Sequence, residues 1–103
     1  MKKYTLGFIF NDALDKVLLI HKQSPQWQVG KINGVGGKLE PNEESVACIM
    51  REVQEECGLL TVAADWGHFG VIKQSVGDVD LFCLIYAGSP HDAKTAGEER
   101  IEW

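Results

Sequence analysis

Residues 37–59 read GKLEPNEESVACIMREVQEECGL, and the rest of the chain is best understood outward from this stretch. Its second part predicts a helix over Glu43–Cys57, with Asn42 as N-cap, Pro41 just ahead of the first turn and Gly58 as the C-terminal stop. At about 100° per residue, Val46, Met50, Val53 and Cys57 share one narrow arc, which is expected to face the core. Glu52, Glu55 and Glu56 fall on nearly the opposite side, at spacings of three and four. Like charges so placed repel by a few tenths of a kcal/mol per pair, and the last turns of a helix disfavour anions. Arg51 is the one close positive neighbour, so local helix stability does not account for three glutamates there. Taken alone, the cluster is most simply a solvated acidic face. The functional alternative is a divalent-cation site, because Mg²⁺ takes hard oxygen ligands completed by water and substrate phosphate.

The residues just before the helix suit that alternative. Gly30, Gly34, Gly36 and Gly37 fall within eight positions, which calls for special backbone angles or close backbone approach. Gly36 and Gly37 allow a tight turn that could aim a backbone carbonyl at a metal, and Lys38 could reach a phosphate oxygen. The segment is not a Walker loop, since the glycine five residues before Gly37-Lys38 is missing and no Ser or Thr follows Lys38. Nor is it a dinucleotide fingerprint, because Leu39 stands where the third glycine belongs.

Further out, Tyr4–Phe10 alternates, with Tyr4, Leu6, Phe8 and Phe10 on one side, and predicts a strand. Asn11–Asp15 predicts a turn and Lys16–His21 the returning strand of a hairpin. Two more strands are expected at Val71–Gln74 and Val79–Ala87, joined by Ser75–Asp78. A loop follows over Gly88–Gly97, and Arg100–Trp103 starts a last strand. Strands and one helix mixed without a βαβ rhythm give an α+β class, a mixed β-sheet with a helix packed on it. At 103 residues this is a single domain. A net charge of −5 argues against a nucleic-acid polymer as partner, since duplex binding needs clustered Lys and Arg. No apolar run approaches the roughly 20 residues of a membrane span, and no signal peptide is evident. Three cysteines without a C-x-x-C predict buried, reduced thiols in a cytoplasmic protein; Cys48 and Cys57, nine apart on one helix, cannot bond each other. His21, His68 and His91 have no metal-ligand spacing.

Gly37, Glu43, Arg51, Glu52, Glu55, Glu56 and Gly58, with Val53 and Leu59 as aliphatics, fill every fixed position of the pattern G-x5-E-x7-R-E-U-x-E-E-x-G-U, where U is aliphatic. The chain therefore resembles the Nudix hydrolases over a specific 23-residue box. Asn33–Lys38, Trp27 and Tyr4–Leu6 look like the MutT-like branch that hydrolyses oxidised purine nucleoside triphosphates. The resemblance implies that Glu52, Glu55 and Glu56, with the Gly36 carbonyl, hold Mg²⁺, for which Mn²⁺ can substitute. It implies that Glu52 is a general base and that Glu43 pairs with Arg51 to brace the loop–helix turn. Lys38 would touch the phosphates, Trp27 would stack on the base and Asn33 would read its edge. A later loop glutamate, Glu98 first with Glu99 and Glu102 as rivals, would complete the metal site. The implied reaction is NTP + H₂O → NMP + pyrophosphate on a small nucleotide. A hydrolase of another nucleoside diphosphate derivative and a nucleotide-binding Nudix module without catalysis are the alternatives. A calcium-binding protein is the weakest reading, because no D-x-D-x-D-G loop precedes the glutamates. Relatives continue past the position of Trp103 with a C-terminal helix that packs on the sheet. Residues 1–103 are thus expected to be a Nudix domain truncated at its C-terminus, with bare apolar sheet surface that favours a homodimer.

Overall fold

Small residues on one face of the first strand let a helix lie close to it. The computed structural model describes residues 3–21, 32–95 and 100–103. In β1 (Lys3–Asn11) the buried positions are Thr5, Gly7 and Ile9, and Tyr4, Leu6, Phe8 and Phe10 lie half-buried on the other face. Helix α1 (Ser45–Cys57) packs on the small-residue face. Strand β1 runs antiparallel to β4 (Val35–Lys38) and parallel to β6 (Asp78–Tyr86). With β5 (Gly67–Ile72) they form a four-stranded mixed sheet in the order β4-β1-β6-β5. A second, antiparallel sheet holds β2 (Leu19–His21), β3 (Ile32–Asn33) and β7 (Arg100–Glu102) in the order β3-β2-β7. The expected α+β class holds, with its strands divided between two sheets rather than gathered in one.

That division corrects the expected hairpin. The turn forms as anticipated: Asn11 Oδ1 accepts hydrogen bonds from the Asp15 and Lys16 backbone N–H groups at 3.1 and 3.0 Å, and Leu14 takes a φ of 60°. The return is broken, however. Val17 bridges Phe10 within the first sheet, whereas Leu19–His21 belongs to the second. The chain leaves one sheet for the other here, and Leu18 and Ile20 end in the shared core with no exposure. Two strands also differ in extent from expectation: β5 starts four residues earlier than Val71, and β6 begins at Asp78. Gly67 and Gly70 hide β5 in the sequence; in the sheet, the ladder shifts register between His68 and Gly70.

The helix begins two residues later than expected. Glu44 is the N-cap, without a side-chain cap hydrogen bond, and Asn42 instead takes the left-handed conformation at φ 63°. Asn tolerates that region because its short polar side chain bonds locally. Ser45 Oγ donates to Asp80 of β6, whose Oδ1 lies 3.0 Å from His68 Nε2, so the start of α1 is tied to the sheet. At the other end Gly58, φ 71°, closes the helix as expected, with its N–H bonded to the Gln54 carbonyl at 3.0 Å. Ile49 and Val53 of α1 join Ile9, Val35, Phe82 and Leu84 in the core. Cys48 and Cys57 are buried and Cys83 is half-buried, all as free thiols. Among the described residues no helix is long and apolar enough to cross a membrane.

Strand β4 approaches β1 so closely that a Cβ at Gly36 would collide with the Thr5 carbonyl oxygen, a backbone atom that cannot swing aside. Gly36→Ala is expected to destabilise the fold by about 1–3 kcal/mol. Thermal denaturation should show this as a fall in Tm of about 4–8 °C for each kcal/mol. An unchanged Tm would mean that the two strands have room to spare.

Candidate active site

The buried face of α1 is rotated from the one its apolar residues suggest. Cys48, Ile49, Val53 and Cys57 are fully buried, whereas Val46 and Met50 only flank the core. On a wheel of about 100° per residue, Glu52 falls between Cys48 and Ile49, and Glu56 between Glu52 and Ile49. Two of the three glutamates therefore sit on the packed side, against β4, rather than opposite it. The Glu52 side chain is 16% exposed and that of Glu55 57% exposed. What makes room for a carboxylate at this interface is Gly37: a Cβ there would lie 2.5 Å from Glu52 Oε1.

Strand β4 is an edge strand, and this supplies the site's backbone groups. In an antiparallel ladder, alternate residues turn both N–H and C=O away from the partner strand. The Leu39 N–H bonds the Lys3 carbonyl at 2.9 Å, so the alternation turns the backbone groups of Gly36 and Lys38 to the open edge. The Gly36 N–H there donates to Glu56 Oε2 at 3.3 Å, and the Lys38 carbonyl accepts from Arg51 Nη2 at 3.3 Å. By the same alternation the Gly36 carbonyl exits on this edge, beside Glu56.

Arg51 is the electrostatic centre. Its Nε and Nη2 donate to the two oxygens of Glu43 at 2.8 and 3.0 Å, a bidentate pair. Nη1 reaches Glu52 at 2.9 Å, Glu55 at 3.3 Å and Glu40 at 3.6 Å. One guanidinium thus faces four carboxylates. The Arg51 hydrogen bonds draw the Glu43 carboxyl down from its ordinary 4.5 to about 2, and Glu43 in turn raises Arg51. Glu52 moves the other way: burial pushes its carboxyl up, only partly opposed by Arg51. Burial likewise pushes the Cys48 thiol up to about 11 and Cys57 to about 12, so neither is a thiolate at neutral pH.

Other residues singled out in the sequence fall elsewhere. Lys38 is exposed at the end of β4. Asn33 is exposed too, with its Oδ1 accepting the Gly34 N–H at 2.8 Å. Glu102 lies on β7 in the second sheet, where its Oε1 meets His21 Nε2 at 2.9 Å. Trp27, Glu98 and Glu99 lie outside the described residues. Among the described residues, no three His, Cys, Asp or Glu side chains gather closely enough to hold a metal ion, so the expected trio of Glu52, Glu55 and Glu56 does not converge here. Arg51 draws Glu52 and Glu55 to itself, and the Gly36 amide engages Glu56. The donor chemistry still suits a hard divalent cation: carboxylates in excess over cationic groups, a carbonyl on the same edge, and a glycine cradle under Glu52 that a Cβ would fill. Sequence reasoning missed the contact of Thr5 and Cys48 with the Gly37 carbonyl. A polar residue among the small inward positions of an alternating strand was the available signal.

The NUDIX domain family matches residues 1–103, the whole chain, and the chain belongs to that family. It is a Nudix hydrolase, of a class that acts on pyrophosphate bonds in nucleoside diphosphate derivatives, generally with divalent metal ions. Its fold is MutT-like. A structure of MutT from a study of Aliivibrio salmonicida and Vibrio cholerae superposes with a TM-score of 0.82 at 19% identity, covering 99% of this chain and 77% of that one. The MutT protein of Methanosarcina mazei Go1 gives 0.72 at 22% identity, covering 99% and 75%. A MutT/nudix family protein of Enterococcus faecalis gives 0.78 at 18%, covering 99% of this chain and 42% of that one. Identities this low speak for the fold. No curated protein matches the sequence.

Because the folded-state Glu43 carboxyl is depressed, its pairing with Arg51 stabilises the fold above pH 4.5 and is lost as pH falls toward about 2. The stability difference between the native chain and Glu43→Gln, read from urea midpoints, should be full above pH about 5 and vanish near pH 2. A difference constant across that window would show that the pair does not couple to folding.

Proposed function

We propose that the protein is a Mg²⁺-dependent pyrophosphohydrolase that converts a nucleoside triphosphate and water to a nucleoside monophosphate and pyrophosphate. Oxidised purine nucleotides such as 8-oxo-dGTP are the favoured substrates. The observation that carries this reading is the joint placement of Arg51, Glu43, Glu52, Glu56 and the Gly36–Lys38 edge at one seam between α1 and β4. In this reading Glu52, Glu55 and Glu56, with the Gly36 carbonyl, hold the metal, and Mn²⁺ can replace Mg²⁺. When bound, the metal neutralises phosphate charge and lowers the pKa of a coordinated water.

The chain's own groups do the rest. Glu52, whose carboxyl is pushed up by burial, is suited to accept the attacking water's proton. Glu43 and Arg51 brace the loop–helix turn, which fixes the start of the segment that carries the three glutamates. Lys38, exposed at the end of β4, meets the phosphates. Trp27 stacks on the purine, Asn33 contacts its edge, and Glu98 completes the acidic set. The oxidised-purine preference rests on the resemblance of Trp27 and Asn33–Lys38 to that branch.

Incubation with Mg²⁺ and a panel of 8-oxo-dGTP, dGTP, ADP-ribose and NADH, followed by detection of pyrophosphate or monophosphate, tests this directly. Pyrophosphate released faster from 8-oxo-dGTP than from dGTP is expected. Cleavage of ADP-ribose or NADH alone would move the protein to another branch of the family, and release from none would leave a nucleotide-binding module. Glu52→Gln and Glu56→Gln should each lower turnover by about 10²–10⁴-fold with an unchanged circular dichroism spectrum. Full activity in both variants would remove the mechanism.

A further inference from the structure

Beside the glycine cradle lies a polar pair that no role so far explains. Thr5 is 3% exposed, the one buried polar or charged side chain among the described residues. It stands directly opposite Gly37 in the β1–β4 ladder. Its Oγ1 is 3.4 Å from the Gly37 carbonyl oxygen and 3.3 Å from Cys48 Sγ, and that sulfur is 3.8 Å from the same carbonyl. Hydroxyl and thiol each carry one hydrogen. Both can donate to the carbonyl, or one donates to the carbonyl and the other to its partner in the pair. In each arrangement the Gly37 carbonyl receives at least one side-chain hydrogen bond. An apolar residue such as valine would fill the Thr5 position at similar volume, so packing alone does not call for a hydroxyl there.

On the same helix-facing side, the Gly37 Cα lies against Glu52, close enough that a single added carbon would lie 2.5 Å from its carboxylate. We propose that Thr5 and Cys48 are positioning residues that set the height of the Gly37 peptide and, through it, the place of the Glu52 carboxylate in the site. Three elements meet at this point: Thr5 on β1, Gly37 on β4 and Cys48 on α1. Arg51 Nη2 also lies 3.8 Å from Cys48 Sγ, which links the pair to the guanidinium that holds Glu43 and Glu52. Groups one step removed from a metal ligand orient it, and their loss lowers metal affinity or activity by about 10–100-fold. The inference rests on the proposed role of Glu52 and deepens it.

The test uses the full chain with Thr5→Val, Thr5→Ser and Cys48→Ala. Mn²⁺ alone is titrated by calorimetry, kcat and KM are measured on the nucleotide that the native chain cleaves, and Tm is recorded beside them. Thr5→Val is expected to weaken Mn²⁺ binding and lower kcat by about 10-fold each, with KM little changed, while Thr5→Ser restores both. A purely structural Thr5 would lower Tm without this kcat-specific loss. Thr5→Val that folds, with Mn²⁺ affinity and kcat equal to the native values, would overturn the positioning role. Should Thr5→Val fail to fold, Cys48→Ala carries the same expectation and the same refutation. A native chain that neither binds Mn²⁺ nor cleaves any nucleotide would instead overturn the reading of Glu52 on which the inference rests.

Discussion

The bidentate contact between Arg51 and Glu43 is the constraint on which the rest of the site depends. It joins the middle of α1 to the loop just ahead of it, at 2.8 and 3.0 Å, and so fixes how the helix enters. Without it, four acidic side chains would face one another with no counter-charge, a repulsion the last turns of a helix cannot offset. The same guanidinium reaches the Lys38 carbonyl, so the open edge of β4 is drawn to the helix by the group that gathers the acids. The helix start shows the consequence. Glu43 is committed to Arg51, Asn42 turns left-handed instead of capping, and α1 begins only at Ser45.

Backbone economy at an edge strand explains why the acids can be half-buried at all. A buried carboxylate needs hydrogen-bond donors or counter-charge, and an interior strand has no spare backbone groups to offer. The outer edge of β4 does: the Gly36 amide meets Glu56 there, and Arg51 serves Glu52. Glycine is required because the helix and β1 press on this strand from two directions. A side chain at Gly36 would strike β1, and one at Gly37 would strike Glu52. The glycines are thus one feature with the glutamates, since each carboxylate occupies space that a Cβ would claim.

Several parts of this arrangement were legible in the residues. Gly58 as helix stop, the Asn11 turn and the mixture of strands with one helix follow from local chemistry, and the Glu43–Arg51 pair is what the family resemblance implies. The buried face of α1 was not legible. Val46, Met50, Val53 and Cys57 make the more apolar arc, yet tertiary packing buries Cys48 and Ile49 and brings Glu52 and Glu56 to the interface. Strand β5 was partly hidden because its glycines mimic a loop until β6 supplies a partner ladder. The burial of Thr5 was not legible either, because the apolar alternation of Tyr4, Leu6, Phe8 and Phe10 marks the opposite face of β1.

The amino-acid order by itself determined the family, the helix with its C-terminal stop and the acidic groups that this helix carries, because these reside in identities at fixed separations along one segment. Only the three-dimensional packing decided which glutamates are half-buried, that Glu102 belongs with His21 in the second sheet, and that Thr5 and Cys48 meet at the Gly37 carbonyl. Those outcomes depend on contacts between residues tens of positions apart, which arise only when the β1–β4 register and the seating of α1 are established together.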